Sequence, residues 1–223
     1  MRTGRTAALV GAGLLSLMAA AGCTQGTSGA PAPAPPSSLP ASTGALALDN
    51  AAAALPAAGT CHYRAGVAMT LPDPACTPGA VNPAVTPTTI TQTICRSGWT
   101  KTIRPPTSRT DRMKAVSARA YSVPAGEKGE YDHLVPLELG GAPDDSRNLW
   151  FEPGTIPNPK DPVENTLNDA VCEGLVPLAT AQRAIATNWT TAFDVVGLRV
   201  AAARVCLRDD PSRCVSGARG HGN

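Results

Sequence analysis

Six cysteines, Cys61, Cys76, Cys95, Cys172, Cys206 and Cys214, punctuate the part of this 223-residue chain that is able to fold, and they limit its architecture more than any other feature. A seventh, Cys23, closes an N-terminal leader. Arg2 and Arg5 make a short positive region, Ala7 to Ala21 an apolar run too short to remain as a membrane span, and Ala20-Ala21-Gly22-Cys23 ends it. An even set of cysteines in an exported chain reads as a framework of up to three disulfides. The pairing stays open at this level; joining neighbours as Cys61–Cys76, Cys95–Cys172 and Cys206–Cys214 is the simplest arrangement. Zinc is the weaker reading, because no Cys-x2-Cys spacing with paired histidines occurs.

The leader resembles a bacterial lipoprotein signal at Gly22 and Cys23. That resemblance implies removal of residues 1–22 and a lipid anchor on Cys23 at the outer face of the membrane. Ala20 stands where a larger aliphatic residue is more usual, so plain secretion is the alternative; both take the chain out of the cytoplasm. Residues 23–58 are Ala-, Pro- and Ser-rich with almost no charge, cannot bury enough apolar surface to offset chain entropy, and read as a disordered tether. One domain is expected over 59–215, followed by a flexible tail at 216–223.

Within that domain, turn pairs at Pro72-Asp73 and Pro78-Gly79 precede a β-rich run, Thr88 to Ile94, which predicts a strand at the end of a stapled, loop-rich subregion. Asp161-Pro162-Val163-Glu164 carries a cap, a proline at the first helical position and a capping-box glutamate, predicting a helix from about Pro162 to Cys172, with Gly174 as its stop. Leu178, Ala181, Ile185 and Trp189 mark a second amphipathic helix with Gln182 and Arg183 on its wetter side, and Phe193 to Val205 reads as a third. The fold class is α+β.

Charge is unevenly spread. Of 19 Lys and Arg residues, Arg2 and Arg5 belong to the leader, which leaves the exported chain formally neutral against 17 Asp and Glu and removes any general pull toward polyanions. Locally, Arg96 to Lys128 holds eight basic residues against Asp111 and Glu127, whereas Glu130 to Glu173 holds ten acidic ones against Arg147 and Lys160. A basic strip beside an acidic, cation-attracting region suits phosphodiester chemistry; a solvated charged loop is the plain alternative for the strip.

The chemistry concentrates in Tyr131-Asp132-His133-Leu134-Val135-Pro136-Leu137, Gly140-Gly141 and Asn148-Leu149-Trp150. Cleaving a phosphodiester needs a base to activate water and a cation to neutralise the phosphate as charge builds. His133 can be the base and Asp132 a hard oxygen ligand for Mg²⁺, with Mn²⁺ or Ca²⁺ as alternatives. Neighbours on a strand face opposite ways, but an irregular strand end, which Pro136 and the glycine pair predict, lets both serve one site.

These residues resemble an HNH endonuclease of the His-Me finger (ββα-metal) group. The resemblance is specific over Tyr131 to Val171, and the region from Cys61 to Trp189 also looks like secreted bacterial proteins of this type. It implies a small ββα-metal core with additional helices, Asp132 as metal ligand, His133 as general base, and Asn148 as the side chain that fixes the loop and orients the histidine. The motif's last histidine is missing, since neither His62 nor His221 lies at helix distance. Asn165 is the first choice for that metal position and Glu164 the second, although the capping box offers Glu164 a structural role. Lys160 is a candidate for meeting the phosphate, against the plainer reading of a solvated lysine. Glu138 and Glu152 flank the site as second-cation candidates or, more simply, as solvated surface. Trp99, Trp150 and Trp189 read as core.

The implied function is an exported, metal-dependent, monomeric endonuclease acting on DNA, with RNA as an alternative substrate, through phosphate contacts and without a base-reading motif. The competing expectations are a non-catalytic nucleic-acid- or envelope-binding lipoprotein built on the same scaffold, and a hydrolase of another envelope phosphodiester.

Overall fold

The computed structural model describes residues 54–201 and 204–216; the leader, Cys23, most of the tether and the tail beyond 216 lie outside the described residues. All described residues belong to one unit, 40–223. In chain order the elements are β1 (Arg64–Ala65), β2 (Thr70–Leu71), α1 (Trp99–Ile103), α2 (Thr107–Ala120), β3 (Gly129–His133), β4 (Leu149–Pro153), α3 (Asp161–Cys172), α4 (Leu178–Asn188), α5 (Ala192–Val195), β5 (Leu198–Ala201), β6 (Arg204–Leu207) and β7 (Cys214–Ser216). Among the described residues this is an α+β arrangement with three small antiparallel sheets, β1-β2, β3-β4 and β5-β6-β7.

Three disulfides join Cys61 to Cys76, Cys95 to Cys172 and Cys206 to Cys214, the neighbour-to-neighbour arrangement. They place the folded chain in an oxidising compartment. The Cys95–Cys172 bond crosses the longest stretch, 77 residues, and ties the segment before α1 to the end of α3.

The β3-β4 hairpin is central. Asp132 pairs with Trp150 and His133 with Leu149 across it. Trp150 has no exposed surface and packs edge-on against Tyr63 and Tyr121, whose rings stack at 4.4 Å. Tyr63 also donates to the Phe151 carbonyl at 2.8 Å, so the N-terminal stapled region and the hairpin share one core. Helix α2 braces the same hairpin: Ser117 Oγ accepts from the Phe151 N–H at 2.9 Å, and Lys114 Nζ donates to the Gly129 carbonyl at 2.7 Å while lying 5.5 Å from the centre of the Phe151 ring. Trp99 and Trp189 are buried as expected of core residues.

Four sequence expectations need correction. Thr88 to Ile94 is not a strand but a series of turns around a single 3₁₀ turn at Ile90–Gln92. Its threonines bond locally instead of supporting a ladder: Thr89 Oγ1 donates to Ala84 O and accepts from Thr86 N, and Thr93 Oγ1 donates to Thr89 O, each at 2.8 Å. The expected third helix stops at Val195, because Gly197 adopts φ +73° and the Cys206–Cys214 hairpin draws the following residues into β5-β6-β7. Gln182 is buried rather than wet, its amide donating to the Leu139 carbonyl at 2.9 Å, whereas Arg183 is exposed. Finally, helix α3 begins at Asp161 with no cap from the Asp161 side chain. Asn158 Oδ1 instead accepts from the Lys160 N–H at 2.7 Å and the Asp161 N–H at 3.2 Å, and Glu164 turns to Lys160 instead of closing a capping box.

Candidate active site

Strand β3 ends at His133, and the chain then leaves the sheet through Pro136, a 3₁₀ turn at Leu137–Leu139, and Gly140 at φ +74°. This irregular end lets Asp132 and His133 line one cleft of about 460 Å³ together with Glu138, Asp161, Glu164 and Asn165. Thr100 and Arg104, from α1 and the residue after it, also line it. All sequence candidates except Asn148, Lys160 and Glu152 therefore reach the cleft.

Asn148 sits just before β4 with no exposed surface and clamps the turn. Its Oδ1 accepts from Val135 N at 2.9 Å and Ala80 N at 3.3 Å, while Nδ2 donates to Val135 O at 2.9 Å and Ala142 O at 3.0 Å. Gly141 makes room for this: a Cβ there would lie 1.7 Å from Val135 O and 2.8 Å from Asn148 Nδ2. The clamp holds residues 135–142, and the chain continues directly to Pro143, whose carbonyl faces His133 Nε2 at 3.0 Å.

A carbonyl can only accept, so that contact assigns the ring proton to Nε2 and leaves the Nδ1 lone pair available. Burial lowers the imidazole pKa below its ordinary 6.5, overcoming the opposing pull of Asp132. The ring is thus neutral at neutral pH, the state a general base requires.

Lys160 differs most from expectation. It is neither solvated nor on the cleft wall; its side chain is fully buried, and Nζ donates to Asp132 Oδ2 at 2.5 Å, to His133 O at 2.9 Å and to Glu164 Oε1. Burial works against the ammonium, but the Asp132, Glu164 and Glu152 carboxyls more than compensate and hold its pKa above the usual lysine value. Burial likewise works to raise Asp132, and the Lys160 charge and hydrogen bond reverse that, keeping Asp132 ionised. Glu164 is pushed up to about 8 by burial, partly offset by Lys160.

Glu152 is buried too, so neither solvated surface nor an open second-cation position describes it. Burial, offset in part by Lys160, together with the neighbouring Asp132 charge and a hydrogen bond shared with Asp132, raises it to about 9; its Oε2 has no partner. Sequence reasoning missed this inward turn because β4 alternates only weakly: Leu149 to Glu152 are all buried. It also missed Asn158, which besides capping α3 donates to Glu130 Oε1. An Asn three residues before an Asp-Pro helix start was the available signal.

The raised carboxyls predict a pH dependence with a definite sign. A carboxyl that titrates near 9 when folded, against 4.5 ordinarily, holds its proton more tightly in the native state, so its contribution is full at acid pH and is lost as pH rises through about 9. Thermal stability should therefore decline from about pH 4.5 to about pH 9 and level off above that, and Glu152→Gln should flatten that decline in melts recorded across the range. An equally steep decline in the variant sinks the assignment.

No family model, curated protein or solved structure matches this chain.

Proposed function

We propose that this protein is an exported phosphodiester hydrolase, an HNH-type endonuclease of the His-Me finger group, cutting DNA, and RNA as a second substrate, with little sequence specificity. The observation that carries the reading is the state of His133: neutral, held through Nε2 by the Pro143 carbonyl, and placed beside Asp132 on the wall of an acidic cleft. That is the arrangement a water-activating base needs, and the β3-β4 hairpin followed by α3 corresponds in order to the ββα core of the group.

The donor chemistry fits a hard divalent ion such as Mg²⁺: the carboxyls of Asp132 and Glu164 and the side chain of Asn165 belong to one cleft, and Asn165 spends its Nδ2, not its oxygen, on the Asp161 carbonyl. Asp132 with Asn165 or Glu164 would hold the ion, which when bound neutralises charge on the phosphate. Asn148 positions the turn and His133 takes the proton from water. The exposed Lys101, Arg104, Arg112 and Arg119 on and around α1 and α2 supply phosphate contacts independent of base sequence. Cys23 carries the lipid that keeps a monomer on the outer membrane face.

Plasmid nicking by the purified protein with Mg²⁺ or Mn²⁺ tests the reading. Cleavage that chelator stops is the expected result, and DNA binding should weaken steeply with salt. Intact plasmid together with clear retardation on a gel would instead favour the binding-only scaffold.

A further inference from the structure

Lys160 lies behind the two carboxylates assigned above to a divalent ion. Its ammonium is surrounded by three hard oxygens, from Asp132, Glu164 and the His133 carbonyl, which is the ligand chemistry of a magnesium-class cation. The carboxylates keep side-chain exposures of 17% and 14% toward the cleft, while the lysine side chain has none. The helix start does not require this side chain: Asn158 makes the cap, and Lys160 contributes only backbone groups, its N–H to Asn158 and its carbonyl to the Val163 and Glu164 N–H groups. A buried ammonium is costly unless paired, and the pairing here uses the same oxygens that would attract a metal ion.

We propose that Lys160 is an internal competitor for the divalent ion: its ammonium pairs with Asp132 and Glu164 when no ion is bound, and the ion binds by taking those oxygens over from it. The proposal rests on the reading of the site as divalent-dependent. A divalent ion drawing on the same carboxyl oxygens is repelled by the ammonium, so the two occupy the site in turn. The competition lowers the affinity of the site for the ion.

Mn²⁺ titration of the full exported protein by calorimetry, comparing wild type with Lys160→Met, is the test. The methionine fills the stem's volume without charge, so the variant should bind Mn²⁺ at least about tenfold more tightly, the scale on which residues behind metal ligands act. Mn²⁺ should also raise its Tm by more than it raises that of wild type. A variant that binds Mn²⁺ no tighter than wild type, or neither protein binding at all, overturns the proposal. Should the variant fail to fold, wild type decides alone: Lys160 should resist an amine-acylating reagent without ion and become modified at saturating Mn²⁺, with exposed Lys101 and Lys128 as reactive controls. A Lys160 that stays protected in the Mn²⁺-saturated protein is the contrary result. Binding and labelling are read without nicking, so failure of the hydrolase reading and failure of the competition remain distinguishable.

Discussion

Replacing His133 with alanine is expected to lower plasmid nicking by roughly 10²–10⁴-fold, the range contributed by a positioned general base. The fold should survive, because the ring makes one hydrogen bond, to the Pro143 carbonyl, and lies on the cleft wall instead of at the centre of the core. Near-native circular dichroism and a thermal transition within a few degrees of wild type would separate loss of chemistry from loss of structure. The pH profile gives an independent check. Burial holds the imidazole pKa below 6.5, so the base stays unprotonated through neutrality and the acidic limb of the wild-type profile should fall below that value. Equal nicking by variant and wild type would move the base elsewhere.

Asn148→Ala should be the most destabilising single change at the site, about 3–5 kcal/mol in urea unfolding. The amide makes four hydrogen bonds with no exposed surface, and its removal strands Val135 N, Ala80 N and the carbonyls of Val135 and Ala142. Each buried polar group left unpaired costs about 1–3 kcal/mol, and partial relaxation keeps the total below the sum. Asn148→Asp tests the donor half separately, since a carboxylate oxygen would then face two carbonyl oxygens. A loss of under about 1 kcal/mol for the alanine variant would mean that the turn holds itself.

Much of this was legible in the chain. Asp132-His133, Pro136, Gly140-Gly141 and Asn148 report an irregular strand end because each type has a local reason to be there, and Pro162 marks a helix start that tertiary context did not move. The cysteines pair with their neighbours along the chain, the least elaborate pattern available. What escaped notice depends on who the neighbour is. Lys160, Glu152 and Gln182 are polar types that sequence assigns to solvent, and all three are buried because a partner from a distant segment receives them: Asp132, the Asp132–Lys160 pair and the Leu139 carbonyl. The threonine run failed for the converse reason, since hydroxyls that bond their own turns cancel β propensity. Helix α2 drew no expectation because only Ser117 and Ala120 are buried on it, too faint an apolar stripe to see.

The Cys95–Cys172 bond closes a loop that contains every residue lining the cleft. Asp132, His133, Asn148, Lys160, Glu164 and Asn165 all come from residues 129–172, a hairpin and the helix that follows it, so the candidate groups assemble from nearly contiguous chain. Thr100 and Arg104, which also line the cleft, come from an earlier stretch tied to the end of α3 by a covalent link closing 77 residues, and ordering so long a loop without it carries a large entropic cost. Reducing that one bond is therefore expected to loosen Thr100 and Arg104 from α3 before it disturbs the β3-β4 hairpin.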